Sequence, residues 1–276
     1  MQNQQNVDES FADIFDAVGD GTPDAVRYFV EQQGVDVHVK DKHGQPLMYY
    51  SFHNPSVEVL AYLVSQGVDV NARPGDQVSP LHEAAAHGSR IESIAWLLDN
   101  GADIEGTGAV GWTPLFSAVS HGQTEAVKLL IERGANVNAI VRHDGHTPLH
   151  TAAREEFSLD IMRLLFEAGA KCDARDGKDR TPLHYAVNED GTLKMVKLLV
   201  SRGADVNATD EDGETPLHKV AKRDSYDKDK TAVPILRYLI SQGADVNAKN
   251  KDGKTPFDVA DTDKRKCILQ KAMEKK

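Results

Sequence analysis

Long apolar runs, cysteines, aromatics and net positive charge are all scarce or missing in this 276-residue chain, and each shortage excludes something. No stretch approaches the ~18 consecutive apolar residues of a bilayer-spanning helix, so no membrane association is expected. The opening residues, MQNQQNVDES, have no basic start and no apolar segment. No secretory leader is expected, and the expected location is the cytoplasm, or also the nucleus in a eukaryote. Only two cysteines occur, Cys172 and Cys267, far apart in sequence. They exclude a disulfide framework, suit a reducing compartment and are expected as small buried hydrophobes. Aromatics make up 6% of the chain against 40% hydrophobic residues in all, which points to a core of Leu, Val, Ile and Ala. The net charge of −11 repels phosphate backbones and sets nucleic acid aside as the main partner. Residues 249–276 nevertheless carry nine Lys/Arg against five Asp/Glu, which makes that end +4 and the remainder −15.

What the chain has in abundance is self-similarity. Pro46, Pro80, Pro114, Pro148, Pro182 and Pro216 stand 34 residues apart, and Pro256 follows after 40. Around them recur S-P-L-H (Ser79–His82), T-P-L-F (Thr113–Phe116), T-P-L-H (from Thr147, Thr181 and Thr215) and T-P-F-D (Thr255–Asp258). About twenty residues after each proline comes a second motif. It reads G-V-D-V-N-A from Gly67, G-A-D-I-E from Gly101, G-A-N-V-N-A from Gly134, G-A-K-C-D-A from Gly169, and G-A-D-V-N-A from Gly203 and Gly243.

Each piece has a physical reason. Thr caps a helix and Pro is tolerated at its first position, so T-P begins a short helix. Small residues behind it, such as Ala152 and Ala153, allow close helix approach. A second helix follows with apolar residues at i, i+3 and i+4, as at Val127, Leu130 and Ile131. Glycine then ends that helix in the left-handed conformation, as expected at Gly134 and Gly203. The Asn-, Asp- and Gly-rich stretch beyond it reads as a hairpin-like loop running to the next T-P. One such unit cannot bury its apolar face alone, whereas stacked units can.

These motifs resemble the ankyrin repeat over roughly residues 10–272. A 34-residue spacing is also the tetratricopeptide period, but W-x2-L-G-x2-Y is absent. The resemblance implies an all-α ankyrin-repeat solenoid. Residues 1–9 are expected to be disordered, and 10–276 to form a single domain of about eight repeats, the first and last acting as caps. Ser10 and Asp13 are expected to cap the first helix, and Thr22-Pro23 to start the second. In the second copy Met48 takes the place where His usually stands. The last copy has Asp258 there and a largely charged second helix from Lys264. Stacking of each copy on its neighbours alone predicts an elongated monomer.

Other constellations compete for a chemical role. Gly106–Gly111 is a literal G-x-G-x-x-G, but a dinucleotide site needs it between a strand and a helix, and here it lies in an inter-repeat loop. His143, His146 and His150 could be imagined as a metal site, yet His150 is a T-P-L-H histidine. In ankyrin repeats that histidine hydrogen-bonds neighbouring copies, which implies the same for His82, His184 and His218. No nucleophile elbow or phosphate-binding loop is present, so no catalytic residues, metal or cofactor are expected. Enzymatic, nucleotide-binding or metal-binding use of the glycine motif or the histidine cluster is the alternative. Asn71, Asn138, Asn207 and Asn247 in V-N-A are expected to stabilise their turns. The insertion Lys222–Lys230, with Tyr226, is either a tolerated surface loop or a partner contact.

The expected function is to bind another protein, as an adaptor, scaffold or inhibitor. In a repeat protein the positions that vary between copies are free to recognise a partner. In ankyrin repeats these are the hairpin tips and the first helices, which line a concave surface. The first-helix column is expected to read Tyr49, Glu83, Ser117, Thr151, Tyr185 and Lys219. Trp112, Arg142, His143, His146, Arg180 and Tyr185 put aromatic and basic groups on an acidic chain, and are the expected partner-binding residues.

Overall fold

The computed structural model describes residues 11–51, 54, 56–73, 78–88, 91–108, 111–154, 159–188, 192–223 and 229–274. The expected disorder of 1–9, the capping role of Ser10, and Tyr226 of the insertion lie outside them. Among the described residues there are fifteen α-helices and no strand, so the fold is all-α. No described helix is long and apolar enough to cross a membrane.

The chain divides into two compact units, Met1–Asn136 and Val137–Lys276. The first holds four helical pairs: α1 (Ile14–Asp20) with α2 (Pro23–Arg27), α3 (Leu47–Tyr50) with α4 (Val57–Ser65), α5 (Pro80–His87) with α6 (Ile91–Asp99), and α7 (Pro114–Ser120) with α8 (Thr124–Glu132). A π-helical turn, Tyr28–Gln32, extends α2. First helices pack on first helices (α1, α3, α5, α7) and second helices on second helices (α2, α4, α6, α8). The second unit holds α9 (Pro148–Arg154) with α10 (Leu159–Glu167), α11 (Pro182–Ala186) with α12 (Leu193–Ser201), α13 (Pro216–Lys222) with α14 (Ala232–Ser241), and finally α15 (Asp263–Met273). In the last copy T-P-F-D is a single turn, where Asp258 accepts hydrogen bonds from the Thr255 amide and hydroxyl.

The motifs act as their chemistry demands. Thr113, Thr181 and Thr215 are N-caps, each with Pro at the first helical position. Thr22 does the same before Pro23, and Asp13 caps α1, accepting from the Phe15 and Asp16 amides. At the other end Gly134 takes φ +93°. Its amide bonds to Ile131 O, and that of Ala135 to Leu130 O. Gly203 ends α12 in the same way at φ +95°. Each core is built from fully buried Leu and small residues: Leu81, Ala85, Leu97 and Leu115 in the first unit, Leu149, Ala152, Leu165, Leu183 and Leu236 in the second. Neither cysteine is buried as expected: Cys172 is half-buried and Cys267 exposed, and both are thiols.

The second copy departs from the expected register. Its proline is not the first helical residue: Pro46 is the N-cap and α3 starts at Leu47. The shift places Tyr49, not Met48, in the histidine position, and Tyr50, not Tyr49, in the first-helix column. Asp41 confirms it, because its carboxylate accepts from the His43 and Gln45 amides and from Tyr50 Oη. Asp176 does the same with Lys178, Arg180 and Tyr185.

The T-P-L-H histidines tie copy to copy. His150 Nδ1 accepts from the Thr147 amide at 3.1 Å, and its Nε2–H donates to Arg180 O at 3.0 Å. His82 reaches Trp112 O, His184 reaches Glu214 O and His218 reaches Lys254 O in the same manner. Burial holds all four below the ordinary histidine value near 6.5, with His150 at about 4. A lowered folded pKa means that the unfolded chain takes up protons first as the pH falls. Stability is therefore complete above pH ~6.5 and is lost between there and pH ~4, on the order of 3 kcal/mol from His150 alone. Melting temperature is expected to drop between pH 7 and pH 5, and a flat profile would contradict the buried neutral rings. His184→Ala at neutral pH should cost about 1–3 kcal/mol, since the buried Thr181 amide loses its acceptor and the Glu214 carbonyl keeps only the Asp210 amide of its two donors.

Candidate interaction surface

The variable surface of each unit is built on one recurring geometry. A hairpin residue closes onto the residue four or five positions later, just before the next T-P or S-P, through a backbone bond. These closures are Asp176 N to Arg180 O, Asp210 N to Glu214 O, Asn250 N to Lys254 O, Gly108 N to Trp112 O and Val141 N to His146 O. Trp112, His146, Arg180, Glu214 and Lys254 therefore share one position at the mouth of the hairpin. Their carbonyls are committed to closing it, and their side chains are left to vary.

In the first unit Trp112 is half-buried, its ring stacked on the buried Phe116 one turn into α7, with centroids 6.3 Å apart. Phe116 stands where other copies have histidine. The glycine motif surrounding this hairpin spends its amides internally: Gly106 N on Asp103 O, Gly108 N on Trp112 O and Gly111 N on Gly108 O. A turn, not a strand, precedes it.

In the second unit three of the expected partner-binding residues converge on a carboxylate that the sequence reading did not single out. Asp176 has a fully buried side chain. Its Oδ1 accepts from the Lys178 and Arg180 amides, and its Oδ2 from Arg180 Nε at 2.9 Å and Tyr185 Oη at 2.6 Å. His146 Nε2 lies 2.7 Å from Tyr185 Oη and 3.4 Å from Asp176 Oδ2. The His146 ring stacks on His150 and meets Tyr185 edge-on, while the Arg180 guanidinium lies over the Tyr185 ring. Burial pushes the Asp176 carboxyl up. The Tyr185 hydroxyl, the amides and Arg180 outweigh this and hold it below the ordinary carboxylate range. Burial and the bond to Asp176 push the Tyr185 phenol upward. The next copy fills the same frame with Lys219, which pairs with Asp210 and Glu214, while Lys222 also pairs with Glu214. Recurrence of Asp or Asn six residues before Pro182, Pro216 and Pro256 was the signal that could have revealed this position.

Arg142 and His143 are different. Both are exposed at the tip of the hairpin before α9. His143 is thus set apart from His146, whose Nε2 meets Tyr185, and from His150, both of whose ring nitrogens are hydrogen-bonded. Among the described residues no cluster of His, Cys, Asp and Glu is arranged to hold a metal ion. The V-N-A asparagines do more than stabilise their own turns. Asn71 donates to Gly101 O and accepts from the Asp103 amide, and Asn138 and Asn207 make the equivalent pairs one copy on. On the second helices Phe166 and Tyr238 are covered by Arg202 and Lys197.

A family model described as ankyrin repeats (3 copies) matches residues 14–107, 105–176, 140–210 and 183–270. The chain belongs to the ankyrin-repeat family. Ankyrin repeats are generally protein-interaction modules, and the family is typically non-enzymatic. Among curated proteins the chain is similar to the E3 ubiquitin-protein ligase Ufd4 of Drosophila melanogaster, 32% identical over 84 residues. That match covers 30% of this chain, and the chain spans only 3% of the length of that relative. Within this ankyrin-repeat chain, then, the stacking residues are common property, and the hairpin mouths and tips are where it is individual.

Proposed function

We propose that this ankyrin-repeat protein is a recognition module, an adaptor, scaffold or inhibitor, that binds another protein through its hairpin tips and first helices. It does so as a monomer, without catalysis, cofactor, nucleic acid or membrane. The observation that supports this most is the division of labour within each copy. Framework groups such as the histidines, the asparagines and Asp176 are consumed in holding copies together. Arg142 and His143 stand exposed with no side-chain partner among the described residues, and Trp112 is only half-buried. Arg and Trp are the residue types that dominate interface energetics, each contributing about 1–4 kcal/mol.

The test uses a partner isolated with the full chain. The combined substitution Trp112→Ala and Arg142→Ala is expected to weaken binding at least tenfold with the fold intact, while deletion of 224–228, which spares Asp229, leaves affinity unchanged. Unaltered affinity in a folded double variant would refute the reading. Addition of nucleotides or zinc is expected to leave the melting temperature of the free chain where it is.

A further inference from the structure

The hairpin before α9 breaks the pattern of its neighbours in two ways. It closes from Val141 to His146, one residue longer than the closures Asp176–Arg180, Asp210–Glu214 and Asn250–Lys254. The residue just before the closure is Lys40, Thr107, Arg175, Thr209 and Lys249 in other copies, and Arg73 in the third. Here it is Ile140, which is 64% exposed and is the one large hydrophobic so exposed among the described residues.

The position has a framework use that isoleucine forgoes. Arg73 Nη1 donates to Thr107 O at 2.6 Å, and Arg175 Nη1 donates to Thr209 O at 2.8 Å, each reaching the same position one copy on. Ile140 has no donor to offer, and its apolar surface faces water. A lone exposed isoleucine means little. Here it sits on a rigid mount and beside free charge. Val141, its neighbour, is buried, and the turn is closed by the Gly145 amide on Val141 O and the His146 amide on Asp144 Oδ1. Asp144 O in turn accepts from the Gly177 amide at 2.7 Å, an approach that leaves no room for a side chain on Gly145. Arg142 and His143, two and three residues on, are likewise exposed. An apolar knob held in place before binding loses little freedom on docking.

We propose that Ile140 is the anchor of a docking tip, together with Arg142 and His143, for a polypeptide that presents an apolar pocket or side chain bordered by carboxylates. The inference rests on the protein-binding reading and moves its centre in this unit from the buried Tyr185 to the hairpin tip. The apolar part of the occupant follows from Ile140. Its acidic part follows from the exposed Arg142, which pairs with no carboxylate among the described residues.

The experiment selects short random displayed peptides against the full-length chain and measures one enriched peptide against variants. Enriched peptides are expected to combine Leu, Ile or Phe with Asp or Glu. Ile140→Arg, which restores the residue type of the third and sixth copies, is expected to keep or raise the melting temperature while weakening the peptide at least tenfold. Arg142→Ser is expected to weaken it and flatten its salt dependence. Trp112→Ala serves as the discriminating variant. Peptides sensitive to Trp112→Ala but not to Ile140→Arg would overturn the docking tip and leave the protein-binding reading standing. Peptides sensitive to none of the three, or no enrichment, would overturn both.

Discussion

Arg265→Ala is expected to destabilise the 137–276 unit by about 3–5 kcal/mol, a loss approaching that of deleting the whole last copy from Asp252 onward. Helix α15 is the most polar helix of the chain, yet its Arg265 is fully buried. The guanidinium donates to Ala221 O and Arg223 O through Nη1 and pairs with Asp229 through Nε. Thr262, the N-cap of α15, donates to the same Asp229 carboxylate at 2.9 Å. Arg265 thus bolts the last helix to both rims of the Lys222–Lys230 insertion, and alanine would take the guanidinium donors from two carbonyls and the cation from a carboxylate that the Thr262 hydroxyl still serves. Deleting the copy also removes Leu269 and uncovers the α14 face bearing Leu236 and Leu239. Urea denaturation of the full chain measures both. A deletion or an Arg265→Ala variant that unfolds at the parent's midpoint would show that the terminal copy is not a cap.

Asp176→Ala is expected to cost a similar amount, and Asp176→Asn clearly less. Alanine removes the acceptor of two amides, one guanidinium and one phenol at once, in a site the protein has already desolvated. Asparagine keeps an oxygen for the amides and loses the charge that Arg180 needs. The folded carboxyl lies below its ordinary range, so its contribution is complete above pH ~4 and vanishes as the pH falls through the folded value. Denaturation at neutral pH and again below pH 4 checks this. The gap between wild type and Asp176→Ala should close in acid, and a gap independent of pH would mean that packing, not the charge, holds the cluster.

The framework was legible because stacking repeats its demands. Every copy needs a helix start, a left-handed helix end and a bond to the next copy, so T-P, Gly and the histidine recur at fixed intervals. Reading failed where one copy meets the same demand with different chemistry. In the second copy a proline serves as N-cap, and the 34-residue spacing of Pro46 and Pro80 disguised a one-residue shift that the helix start at Leu47 and the bonds of Asp41 disclose.

The expected partner-binding residues split for a related reason. Variation between copies marks a position as free of the shared framework, but not as free of its own neighbours. His146, Arg180 and Tyr185 vary from copy to copy and are nonetheless locked around Asp176. Ile140 was not among the expected partner-binding residues, because the sequence does not show that its side chain stays exposed while that of Val141 is buried. By itself the sequence determined the helical repeat and the ends of most helices, since these follow from local capping and periodicity, while the resemblance to ankyrin repeats implied the copy-to-copy histidines. Only the tertiary structure decided which variable side chains are spent inside the protein, because that depends on what the adjacent hairpin and helix place within hydrogen-bonding reach.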